Sequence, residues 1–156
     1  VSSNVQQFVN EAYRLMSELP PNMYQVIQKS EAEGKTDSPE YQAAMEVFKQ
    51  RHFCLLNPIP DSVQRAYQKV GQDFRGAGKI IDWDVTSKLA TIQIPTLLIS
   101  GRYDQVTPAC VKPLYQKIAG SKWLIFEESS HLPHLEEHEK FIQAVSEFLV
   151  AVEENN

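Results

Sequence analysis

Two short apolar runs, Ile94-Pro95-Thr96-Leu97-Leu98-Ile99-Ser100-Gly101 and Lys122-Trp123-Leu124-Ile125-Phe126-Glu127, flank a stretch that opens at Thr107-Pro108 and closes at Gly120. Runs this short and this apolar read as buried parallel strands. Thr107-Pro108 reads as an N-cap followed by proline at the first helical position, where its missing N–H forfeits no bond. Strand, helix, strand is a βαβ crossover. Two parallel strands can neither cover both their faces nor satisfy their outer edges, so the unit calls for further strands that the 156 residues do not contain. Those strands are missing or supplied by another chain, and the open edge suits pairing with a second copy in a homo-oligomer.

The first half follows a different grammar. From Val5 to about Val70 apolar residues recur at helical spacing, starting with Val5, Phe8, Val9, Ala12, Leu15 and Met16 on one face. Pro20-Pro21-Asn22 punctuates the chain, and a second helix runs toward Gly34 as its C′ residue. Ser38 then caps a third helix with Pro39 at its first position. That helix carries Tyr41, Ala44, Met45, Phe48 and His52 on one stripe, which reads as packing, and it ends before Asn57-Pro58-Ile59-Pro60. A short helix follows Asp61. At the far end a helix from about Glu136 places Phe141, Ile142, Val145, Phe148, Leu149 and Val152 on one face, which should cover the sheet.

Composition narrows the function classes. Hydrophobic residues at 42% and charged residues at 22% are those of a globular protein. A net charge of −5 without a clustered basic face argues against nucleic acid as a partner. No apolar run approaches the ~20 residues that span a bilayer, and Val1 begins a polar stretch, so the expectation is neither membrane nor secretion but a cytoplasmic chain. Cys54 and Cys110, far apart and outside any C-x-x-C spacing, read as reduced thiols. His134 and His138 are four apart and could share a helix face, but the intervening Leu135-Glu136-Glu137 is not the H-E-x-x-H zinc pattern, so no metal is expected.

In open parallel sheets functional groups lie beyond the carboxyl ends of strands. Asp104 follows the first strand in Ser100-Gly101-Arg102-Tyr103-Asp104, and His131 follows the second in Glu127-Glu128-Ser129-Ser130-His131. Each alone has a bland reading, Asp104 as a turn residue and His131 as a surface or helix-start histidine. Together, in the order Asp then His at the end of an α/β pattern, they match the closing members of an α/β-hydrolase triad. Such a triad also needs a serine on a G-x-S-x-G elbow and oxyanion donors from a glycine-rich loop, and these 156 residues hold neither. Ser129 and Ser130 occupy the loop before His131, where no strand-to-helix elbow exposes them, and read as structural.

Specific segments extend this reading. Glu31-Ala32-Glu33-Gly34-Lys35-Thr36-Asp37-Ser38-Pro39-Glu40-Tyr41, Arg51-His52, Asp82-Trp83-Asp84-Val85-Thr86, the run from Pro95 to Asp104, and Ser129-Ser130-His131-Leu132-Pro133-His134 closely resemble proline iminopeptidases, including the archaeal tricorn-interacting type. The resemblance implies an α/β fold, namely the C-terminal part of an α/β-hydrolase with its last two parallel strands and flanking helices. Residues 1–82 would be an all-helical cap and residues 83–156 part of the catalytic core. It further implies a serine exopeptidase that needs no cofactor and releases N-terminal residues, often proline, from short peptides, with Asp104 as triad acid and His131 as general base. Its acidic residues for the substrate's amino group fall at Asp73, before Phe74, and at Gln105. A shorter carboxylate and a neutral amide there weaken an amino-terminal anchor, which leaves an ester or amide substrate as the alternative, beside a non-catalytic binding or assembly module.

Overall fold

Side-chain caps start two of the helices of the first half. In the computed structural model, which describes residues 1–70 and 80–155, α1 (Val5–Ser17) begins where Asn4 Oδ1 accepts from Gln7 N at 2.7 Å. Helix α2 (Pro21–Ala32) has proline at its first turn and ends in a Schellman motif: Lys35 N donates to Ser30 O at 2.7 Å and Gly34 N to Glu31 O at 3.2 Å. Gly34 adopts φ +67°, the left-handed conformation that glycine enters without a Cβ penalty. Ser38 Oγ accepts from Tyr41 N to start α3 (Pro39–His52), and α4 (Asp61–Val70) follows a proline-rich turn. The four helices lie where the spacing of apolar residues predicts them.

The second half contains a 3-10 helix (Thr86–Thr91), β1 (Leu97–Gly101), α5 (Pro108–Lys117), β2 (Lys122–Phe126), the four-residue α6 (Pro133–Glu136) and α7 (His138–Glu153). Strands β1 and β2 pair in parallel, with Leu97 opposite Lys122 and Gly101 opposite Phe126. Helix α5 makes the crossover as expected. Thr107 is its N-cap residue, but the hydroxyl does not cap: it donates to Glu11 Oε2 at 2.7 Å, joining α5 to α1. Pro113 lies inside α5 and has no N–H for the carbonyl of Ala109, and Gln7 Nε2 of α1 donates to that oxygen at 2.9 Å instead.

Among the described residues the apolar core forms two clusters. Leu15, Met16, Leu19, Ile27, Ala44 and Phe48 pack among α1, α2 and α3; Leu89, Leu98, Val111, Leu114 and Ile118 pack between β1, α5 and the 3-10 helix. Complete burial of a side chain such as Ile27 or Val111 contributes roughly 1.5–3 kcal/mol. A main-chain clasp links the halves, with Val5 N donating to Trp83 O at 3.0 Å and Val85 N to Ser3 O at 2.9 Å.

Three expectations need correction. Strand β2 is not buried: Leu124 is 40% exposed, because β2 has a neighbour on one side and little packed over its outer face. The first strand is shorter than its apolar run, with Ile94 71% exposed ahead of Pro95. The final helix starts close to where it is expected, at His138, but covers the sheet only in part. The chain breaks at Glu137 (φ −126°, ψ 54°) between α6 and α7, and α7 touches the sheet through Phe141 on Phe126 while Ile142 and Leu149 stay exposed.

Candidate active site

Parallel pairing continues past the strand ends and brings the two loops together. Arg102 N donates to Phe126 O at 2.9 Å and Tyr103 N to Ser129 O at 3.0 Å. Gly101 makes this approach feasible: a Cβ there would stand 1.9 Å from Ser130 O and 2.4 Å from Ser129 O. The next residues are Asp104 and His131, and His131 Nδ1 lies 2.9 Å from Asp104 Oδ1. The carboxylate oxygen can only accept, so the imidazole carries its proton on Nδ1 and presents Nε2 as an acceptor. Asp104 is 4% exposed, and its Oδ1 also accepts from Val106 N at 2.7 Å, which fixes the carboxylate on its own loop. The His131 ring remains partly open, with Phe53 at 5.5 Å between centroids and Tyr67 edge-on to Phe53 at 5.1 Å.

Two adjacent glutamates tie down the histidine loop. Glu136 accepts from Ser130 N, Ser130 Oγ and Leu132 N at 2.9, 2.6 and 3.1 Å. Glu137 accepts from Ser129 Oγ at 2.6 Å, Glu128 N at 3.1 Å and Lys140 Nζ at 2.8 Å. Ser129 and Ser130 are fully buried, and both hydroxyls are spent on these carboxylates, so neither is poised as a nucleophile. Sequence reasoning passed over Glu136, Glu137, Gly101 and Phe53. The available signal was a pair of glutamates five and six residues after a candidate base, in a stretch that otherwise reads as a solvated charge run.

Gln105 anchors the acid loop through its backbone, its N–H donating to His52 O at 2.9 Å; Asp73 lies outside the described residues. His134 and His138 do not share a helix face, since the break at Glu137 intervenes and His138 Nδ1 bonds His134 O at 2.9 Å. Among the described residues no three His, Cys, Asp or Glu side chains gather where a metal ion could sit, and no helix is long and apolar enough to cross a membrane. Cys54 and Cys110 are free and buried, and burial pushes both thiols above their ordinary value. A shallow depression of about 360 Å³ lies against His52, Leu55 and Tyr103, and neither Asp104 nor His131 lines it.

Two carboxyls lowered in the folded chain, Glu11 and Glu137, are expected to make its stability fall in acid. The Thr107 hydroxyl is the largest influence holding Glu11 below the ordinary value of 4.5. Burial alone would raise Glu137, but bonds from Lys140, Ser129 and Glu128 N outweigh it and leave that carboxyl lowered too. A carboxylate lowered in the folded chain contributes stability that is complete above its unfolded value and lost as pH falls through the folded one. The urea midpoint is therefore expected to fall below pH 4.5, and to fall less steeply in Glu137→Gln. Parallel pH curves for the two proteins would refute the assignment.

No family model matches the chain. Over 158 aligned residues it is 35% identical to the proline iminopeptidase of Saccharolobus solfataricus, covering 94% of this chain and 51% of that protein. It is 29% identical to the proline iminopeptidase of Thermoplasma volcanium, again over 94% of this chain and 54% of the relative. The chain thus spans about half the length of the curated relatives it matches. Among solved structures, VinJ superposes with a TM-score of 0.91 at 32% identity, over 97% of this chain and 55% of that one. The proline iminopeptidase of Mycobacterium smegmatis superposes with a TM-score of 0.83 at 29% identity, over 96% of this chain and 54% of that one.

Proposed function

We propose, for a chain homologous to the C-terminal half of the proline iminopeptidases and built as part of an α/β-hydrolase fold, that it supplies the acid and base of a serine-dependent hydrolase acting on short peptides with a free N-terminus. The observation that carries this is the 2.9 Å contact of His131 Nδ1 with buried Asp104 at the ends of adjacent parallel strands. In this reading Asp104 fixes the tautomer and stabilises the imidazolium, and Nε2 takes the proton of a serine hydroxyl and later returns it to the leaving amine. The serine and the oxyanion donors come from outside these 156 residues, and no cofactor takes part.

Residues 1–82 act as a helical cap over a core that includes residues 83–156, a division supported by the two apolar clusters. Phe53 and Tyr67 belong to the cap side and bring an apolar wall to His131, which suits a small apolar N-terminal side chain. Gln105, neutral beside the acid, favours a second reading in which the substrate is an ester or amide without an amino-terminal anchor.

Prolyl and alanyl arylamides test the proposal. The 156-residue chain alone is expected to give no turnover above background, and a form extended upstream through a serine elbow is expected to release arylamine. His131-dependent turnover by the chain alone would contradict the external nucleophile. An extended form that cleaves esters and leaves the arylamides intact would move the assignment to the second reading.

A further inference from the structure

The segment His52–Leu55, the last residue of α3 and the three that follow it, touches both loops of the Asp–His pair. On the acid side His52 O accepts from Gln105 N at 2.9 Å, and His52 Nδ1 lies 2.9 Å from Tyr103 O. On the base side the Phe53 ring lies 5.5 Å from that of His131, and Leu55 N donates to Glu136 Oε1 at 2.7 Å. Glu136 therefore holds four donors: Ser130 N and Ser130 Oγ just before His131, Leu132 N just after it, and Leu55 N from the helical region.

We propose that Glu136 is a positioning residue, its carboxylate fixing the backbone on each side of His131 and locking it to Leu55, so that the aim of the imidazole follows the seating of the helical region. An ionised carboxylate is acceptor-only with about four lone-pair sites, and here the four donors take them, two on each oxygen. An amide keeps one acceptor oxygen and turns its NH2 toward donors. If that group replaces Oε2 it meets Ser130 N and Leu132 N; if it replaces Oε1 it meets Leu55 N. Either orientation leaves a main-chain N–H beside His131, or the one from the cap, without its partner. This inference rests on the reading of His131 as the base, since positioning matters only for a group that must meet a substrate.

The test is NMR on the 156-residue chain, reading the hydrogen exchange of the His131 Nδ1 proton and of the Leu55 amide. In the unmodified chain both are expected to be protected. E136Q is expected to retain a dispersed spectrum elsewhere while both signals exchange at least about tenfold faster, as for a loop that opens locally. D104N should lose the Nδ1 proton signal and leave Leu55 protected, which separates loss of the hydrogen-bond partner from loss of positioning. Unchanged exchange at both sites in E136Q would overturn the proposal. If E136Q does not fold, E136D decides: it keeps the charge but is one methylene too short for all four donors, so it should accelerate both signals, and no change would overturn the proposal. Absence of a protected Nδ1 proton in the unmodified chain would instead overturn the Asp104–His131 pairing itself.

Discussion

Gly101→Ala is expected to destabilise the chain by about 3 kcal/mol or more, measured as a drop in urea midpoint, at the upper end of what overpacking costs. The new Cβ would lie 1.9 Å from one carbonyl oxygen and 2.4 Å from the next, both main-chain atoms that cannot rotate away as a side chain would. Relief requires the Ser129–Ser130 backbone to retreat from β1, which carries His131 away from Asp104. Gly120→Ala is the control. Its φ of +70° strains an alanine by roughly 1–2 kcal/mol, but nothing stands within 4 Å of the added carbon. Gly101 itself is not left-handed, so a loss there no larger than that at Gly120 would show that the loops give way cheaply and that their close approach does not set the cost.

Asp104→Asn and His131→Ala are expected to have the largest effect on catalysis in any form of the protein completed by its serine. Asparagine is isosteric with aspartate, yet its amide can present NH2 to Nδ1 and favour the wrong tautomer, so kcat should fall by about 10⁴ with KM little changed. His131→Ala removes the base outright, and kcat should fall by about 10⁶, close to the loss on removing the whole triad. The two losses should not add in the double variant, because the residues act as one unit. A fall of less than tenfold for either single variant would remove these residues from the chemistry.

Much of the fold was readable from local chemistry. Gly34 and the Ser38-Pro39 pair mark helix boundaries because only certain residues suit a left-handed C′ position, an N-cap or a first helical turn. The meeting of Asp104 and His131 was legible because strand, helix, strand places successive loops at the same end of the sheet. Burial was not legible in the same way. Leu124 and Ile142 sit in patterns that elsewhere mean core, but burial depends on what stands opposite, and no local pattern records that. The Thr107 hydroxyl reaches Glu11 and Glu136 reaches Leu55 across 96 and 81 positions of sequence, pairings that the fold alone creates. Gly101 shows the reverse case: its type was visible, but the reason for it is a carbonyl on another loop.

The half-covered strand pair and the exposed apolar residues of α7 have a thermodynamic consequence. Leu124, Ile142, Leu149 and Val150 lie open to solvent in the native chain. Anything that binds them there, and not in the unfolded chain, adds RT ln(1 + [L]/Kd) to the free energy of unfolding, about 2.7 kcal/mol at a hundredfold excess over Kd. The melting temperature then depends on what else is in the tube and at what concentration, the chain itself included.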